Sequence, residues 1–167
     1  QFQSKEGKLE NPYQTSWGCT TRMIGELIMV HGDDRGLVLP PRIAPIKAII
    51  IPIGDTDKVT NALNEITEDL SDSCITFKVD NSNKTPGFKF SEAEVKGYPV
   101  RIEVGKRDLE NDVVTIVRRD TLEKIQVPVS EAAIKVNELL INIQNDMYER
   151  ALERRDSMVY NVDSYEE

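Results

Sequence analysis

Residues 86–108 read PGFKFSEAEVKGYPVRIEVGKRD. This stretch decides the fold. Val100 to Val104 alternates apolar and charged residues, the mark of a strand. Val100, Ile102 and Val104 point one way, to a core. Arg101 and Glu103 point the other way, onto a face expected to be open. Gly97-Tyr98-Pro99 is a turn before the strand, and Gly105 ends it. Ser91 to Lys96 is expected to form one or two helical turns. Glu94, Lys96, Arg101, Lys106 and Arg107 therefore gather around one turn and one strand. The plainer account is a salt-bridged outer face, which for charges in general is the commoner case. The number of turn-forming residues around these charges favours a site.

Working outward, Ala48 to Ile53 is a continuous apolar run, as in a strand buried on both faces. Asp55 or Thr56 is placed to cap a helix over 57–70, with Val59, Leu63, Ile66 and Leu70 on its inner stripe. Ile75 to Val79 alternates as a strand, and Asp80 to Thr85 is a polar loop. Val113 to Arg118 and Lys124 to Val129 are further strands, joined by a turn at Thr121-Leu122-Glu123. Ser130 is read as the N-cap of a last long helix. Its stripe is Ala133, Val136, Leu140, Ile143, Met147 and Ala151. Helices alternating with strands imply an α/β fold: a mostly parallel, mixed five-stranded sheet with an antiparallel edge, flanked by helices.

The amino-terminal part has a different texture. Residues 1–16 are polar, with a turn expected near Glu10-Asn11-Pro12, and Gln1 falls within what reads as a strand or hairpin. A glycine-bearing strand, Thr15 to Arg22, leads into a helix. Met23, Ile24, Leu27, Ile28 and His31 recur there at helical spacing, up to Gly32-Asp33-Asp34. His31, the single histidine, is read as a structural residue at the helix end. Pro40 and Pro41 then hold an extended connection. A boundary is placed at Pro45.

Composition narrows the function classes. The chain of 167 residues is 39% hydrophobic and 30% charged, with net charge −8. It does not look like a general nucleic-acid binder. The charge is uneven, however. Within 86–107 five bases stand against three acids; from Ser130 onward four bases stand against nine. A local basic patch on an acidic protein is compatible with this. Cys19 and Cys74 lie far apart with no Cys/His cluster, so no metal site or disulfide framework is implied. Both are expected to be buried apolar residues. No apolar run reaches membrane-spanning length, which points to the cytoplasm.

The segment QTSWGCTTRMIGELIMVHGDDRGLVLPPRIAPI, residues 14–46, resembles the third signature motif of a class II aminoacyl-tRNA synthetase, specifically the prolyl-tRNA synthetase family. FQSKEGKLENPY before it resembles the strand and turn that enter the motif. The likeness continues through IKAIIIPIG, the stretch quoted first, and VTIVRRDTLEKIQV, so it covers nearly the whole chain. It is nearest the archaeal and eukaryotic type. The resemblance implies that residues 1–45 end a catalytic domain, contributing its last strand and helix. Residues 46–129 would be the anticodon-binding domain. Residues 130–167 would be a helix and tail leading to a zinc-binding extension whose ligands are absent here. The chain itself is read as a fragment.

By the same resemblance Thr20 and Arg22 contact ATP, and Trp17 and Gly18 line the proline pocket. Glu94, Arg101 and Arg107 read the anticodon guanines, with Lys89 and Lys106 on phosphates. Lys106 departs from the family's usual proline in that turn. The implied partner is tRNA(Pro). Proline, ATP and Mg2+ belong to the parent enzyme, which the resemblance makes a homodimeric proline–tRNA ligase; no metal, cofactor or activity is expected in the fragment. Two other readings compete. An accessory, non-catalytic RNA-binding protein has no use for the motif-three segment. A small nucleotide-binding α/β enzyme needs a glycine-rich phosphate loop, and Pro52-Ile53-Gly54-Asp55 is too short and acidic for one.

Overall fold

The computed structural model describes residues 1–54, 56–161 and 164. The elements in chain order are β1 (Phe2–Gln3), β2 (Leu9–Glu10), α1 (Arg22–His31), β3 (Ala48–Ile53), α2 (Asp57–Asp72), β4 (Phe77–Val79), α3 (Pro86–Lys96), β5 (Val100–Gly105), β6 (Val113–Arg118), β7 (Lys124–Pro128) and α4 (Ala132–Ser157). Short 3-10 turns lie at Asp108–Asn111 and Val129–Glu131.

One five-stranded sheet organises the molecule, in the order β4-β3-β5-β6-β7. β3 pairs parallel with both β4 and β5. β5, β6 and β7 pair antiparallel. Four strands thus share a direction and β6 runs against them, the mixed α/β sheet expected from the alternation of elements. Strand alternation sorts the side chains. Ala48, Ile50, Val100, Ile102, Val104, Val114 and Ile116 join one core with α2 (Val59, Ala62, Ile66, Leu70) and α4 (Val136, Leu140, Ile143, Met147). Ile49 and Ile51 face the other way and pack with Ala93, Phe90 and Tyr98. Two helices therefore cover one face, and α3 covers part of the other. The turn over Thr121–Glu123 forms as expected, with Leu122 in the left-handed region.

Several local expectations are corrected. α3 begins at Pro86, not Ser91. Proline at the first helical position has its φ already set and lacks an N–H that the helix could not have used; the Lys89 amide closes the first turn onto Thr85 O at 3.1 Å. Thr56 caps α2, its side chain accepting from Val59 N, and Asp55 lies outside the described residues. Ser130 is not an N-cap. It sits inside a 3-10 turn, and Glu131 holds the cap position of α4 without a side-chain bond. That turn seats both Val129 and Ala132 in the core. The strand expected over 75–79 is regular only from Phe77, as β4. Cys19 and Cys74 are exposed, not buried. Cys74 follows α2 in the left-handed region, φ 54°, where the chain reverses and its side chain leaves the core.

The amino-terminal part departs further. The hairpin turn lies between Ser4 and Lys8, with Gly7 at positive φ, rather than at 10–12. No strand forms over 15–22, and α1 buries none of its residues. The acidic tail expected from Ser157 to Glu167 lies partly outside the described residues. No helix among the described residues is long and apolar enough to cross a membrane.

Candidate nucleic-acid interface

The face of β5 opposite the main core is not open. α3 lies over it, and Arg101 and Glu103 are buried, Arg101 to 7% exposure. A buried guanidinium needs partners for its fork of donors, and here Nε and Nη1 have them. Nε donates to Glu103 Oε1 at 3.0 Å, and Nη1 to Glu94 Oε1 at 3.0 Å and to the Phe90 carbonyl at 3.5 Å. The guanidinium also lies 4.5 Å from the centre of the Phe90 ring, a cation–π contact. Lys124 Nζ approaches the same assembly, 3.6 Å from Glu103 Oε1 and 5.9 Å from the ring centre.

Glu94 is the acid at the rim of this cluster. Oε1 takes Arg101 and Oε2 takes Arg35 Nη1 at 3.2 Å. Burial works to raise its pKa, but the hydrogen bonds from Arg101 and Arg35 outweigh burial and hold the carboxyl below its ordinary range. The result is a carboxylate kept ionised and aimed by two arginines, beside an aromatic ring.

Glu94 is held from a distant part of the chain as well. Arg119 donates both terminal nitrogens to Asp33, at 2.7 and 2.6 Å, and its Nε to the Glu94 carbonyl. The Leu37 amide donates to the Val95 carbonyl at 3.1 Å. Gly97 ends α3 at φ 70°, and a Cβ there would stand 2.6 Å from Leu37 O. Residues 33–37 therefore clamp the carboxyl end of α3.

The other expected site residues are dispersed. Lys89 is buried to 6% exposure, and its ammonium donates to the Asp80 carbonyl at 2.8 Å. It ties the loop after β4 to α3 instead of presenting a charge to solvent. Its helix position, one turn before the buried Ala93, faces inward. Lys106 and Arg107 are exposed, at the far end of β5 from Arg101. Neither bonds to the Glu94 cluster among the described residues. Trp17 is 93% exposed, and Gly18 has open space where a Cβ would be. Thr20 Oγ1 accepts from the Arg22 amide at 3.3 Å, at the start of α1. Arg22 is exposed there, its guanidinium without a hydrogen bond among the described residues, and its fork of donors suits a phosphate.

Comparison with known proteins now bears on this arrangement. Residues 47–139 match the family described as "Anticodon binding domain". The chain belongs to this family. Over its whole length it is also similar to proline–tRNA ligases. It is 48% identical over 168 residues to the protein from Lachnospira eligens, covering 100% of this chain and 35% of that one. The Mesoplasma florum protein is 48% identical over 166 residues, covering 99% of this chain and 35% of the relative. Among solved structures, a prolyl-tRNA synthetase from Cryptosporidium parvum complexed with L-proline and AMP superposes with a TM-score of 0.90 at 42% identity. The match covers 99% of this chain and 36% of that one. The chain thus spans about a third of the length of these relatives. The prolyl-tRNA synthetase resemblance read from the motif-three segment onward is borne out, as is the fold of the anticodon-binding domain.

Sequence reasoning missed three members of the cluster, Phe90, Lys124 and Arg35, and also the burial of Glu103. Phe90 and Glu94 stand four residues apart, on one helical face. Had the helix been begun at Pro86 instead of Ser91, that pairing would have been legible. Arg35 and Lys124 reach the site only through tertiary contact, and no local pattern marks them.

Proposed function

We propose that this chain reads the anticodon of tRNA(Pro), as the anticodon-binding part of an ATP-dependent proline–tRNA ligase. One observation carries the reading. The Glu94 carboxylate is ionised and aimed by Arg101 and Arg35 at the rim of a cluster that also holds the Phe90 ring. Guanine offers N1–H and N2–H side by side, and a carboxylate accepts such a pair. Single-stranded RNA exposes these edges to protein and stacks on aromatic rings. In this account Arg101 acts chiefly by fixing Glu94, because its Nε and Nη1 donors are committed to Glu103, Glu94 and the Phe90 carbonyl. Arg107 and Lys106, exposed at the other end of β5, serve the second guanine and the backbone. Lys89 acts on the site through the loop it anchors.

The family likeness supports placing Thr20 and Arg22 at ATP, and Trp17 and Gly18 at proline, in a longer, homodimeric, cytoplasmic enzyme. ATP with Mg2+ supplies the activated phosphate of an adenylate there; Arg22 would hold phosphate and steady developing charge. The proposed division is 1–45 for the end of the catalytic part, 46–129 for the anticodon-binding domain and 130–167 for the closing helix and tail.

The test uses two RNA hairpins, one with guanines at the second and third anticodon positions and one with adenines. The chain should prefer the first. Glu94→Gln keeps the shape but removes the paired acceptor, and should cost about 1–3 kcal/mol on the guanine hairpin alone. Equal weakening of both hairpins would remove Glu94 from base reading.

A further inference from the structure

α3 presents two rows of side chains. Phe90 and Glu94 form the row beside β5. Phe88, Glu92 and Lys96, again at four-residue spacing, form the row toward β4, the edge strand of the sheet. A depression of about 90 Å3 opens on that second side. It is lined by Lys78, Lys84, Lys89 and Lys96 and by only two carboxylates, Asp80 and Glu92. This concentration of cations sits on a protein of net charge −8.

Its charges are arranged for exchange. Lys84 and Lys96 both reach Glu92, at 2.7 and 2.8 Å, and each is about half exposed. Hydrogen bonds from the two lysines hold the Glu92 carboxyl below its ordinary pKa. One carboxylate thus occupies two half-exposed ammonium groups, and exposed pairs of this kind are weak. A phosphate can take the place of Glu92 with little loss. Beside them Phe88 is 54% exposed, with Lys84 Nζ 4.5 Å from its ring centre. An exposed ring among lysines is the composition of a single-strand track: stacking for a base, ammonium groups for the backbone.

We propose that Phe88, Lys84, Lys96 and Lys78 form a backbone track for the RNA strand whose base is read at Glu94. The inference rests on that reading and extends it across α3. A helix with its side chains is about 10–12 Å wide, so the two rows fall to neighbouring nucleotides of one strand. The phosphates replace Glu92 on Lys84 and Lys96, and Phe88 stacks a flanking base of any identity. Lys89 fixes the loop that carries Lys84.

The same two hairpins test it, titrated over a range of KCl. The double variant Lys84→Ala/Lys96→Ala should bind both hairpins several-fold more weakly, with their affinity ratio unchanged. Its salt slope should fall by about 1.4, two phosphates at about 0.7 each on a single strand. Phe88→Ala should weaken both hairpins without changing the slope. Glu92→Gln should tighten both, because it removes the competing acid. Unchanged affinity and slope in the double variant, with its thermal unfolding unaltered, would overturn the track. So would unchanged RNA binding together with lost binding of a polyglutamate probe, which makes the patch a protein-docking surface. If the wild-type chain binds both hairpins equally and the double variant still loses affinity and slope, the track stands and the guanine reading at Glu94 fails. If the chain binds neither hairpin, both fail.

Discussion

Arg101 and Glu94 are partners with different consequences when changed. Arg101 is buried against two carboxylates and a ring. Removing it leaves Glu103 buried without its main cation, and breaking such a pair costs about 3–5 kcal/mol. Arg101→Ala is therefore expected to lower the urea midpoint markedly, so its loss of RNA binding would not identify a contact. Glu94 lies at the rim, and its substitution is the informative one. Asp33 gives a residue-scale pH test. The bidentate hydrogen bonds from Arg119 are the main cause of its shift, from 3.8 to about 2. A carboxyl lowered on folding stabilises the protein fully above its ordinary pKa and loses that contribution as pH falls through the folded value. Unfolding measured from pH 5 to pH 2 should show a loss of stability below about pH 4 that Asp33→Asn lacks. Identical pH profiles for the two proteins would mean the Arg119 bond does not persist in solution.

At the scale of elements, α3 holds the site and the residues around it hold α3. Gly97 has φ 70° with Leu37 packed where a side chain would go. Gly97→Ala meets both the left-handed backbone penalty, about 1–2 kcal/mol, and a clash with backbone. Destabilisation beyond about 1 kcal/mol by urea unfolding is expected, with loss of guanine preference as the carboxyl end of α3 shifts. A fully stable Gly97→Ala protein would show that residues 33–37 yield easily. α4 acts from the other face. Ile143 is buried in the main core, and Ile143→Ala is expected to cost about 2–5 kcal/mol. That loss should leave the ratio between the two hairpins intact in whatever fraction remains folded.

For the whole molecule, the residues proposed for ATP and proline lie on an exposed segment. Trp17 is exposed, and α1 buries none of its residues. The chain spans about a third of its relatives, and two of the three signature motifs of the resemblance lie outside it. No proline-dependent ATP–pyrophosphate exchange is expected from this chain. Exchange above that of a heat-denatured sample would contradict the division of labour proposed here. Much of the architecture was readable from the chain alone. The apolar run 48–53, the alternation in 100–104 and the stripes of α2 and α4 depend on local periodicity, which side-chain direction makes legible. Asp33, Arg35 and Lys124 were not readable as parts of the site. They approach Glu94, Arg119 and Glu103 across long stretches of sequence, where chain position carries no distance information. Whether Arg101 and Glu103 face solvent was likewise undetermined, because alternation places them on one face without saying what covers it. The packing of α3 decided that. It turned a presumed open charged surface into a buried pair, left Glu94 alone at the rim, and set the lysines of the β4 side apart from it.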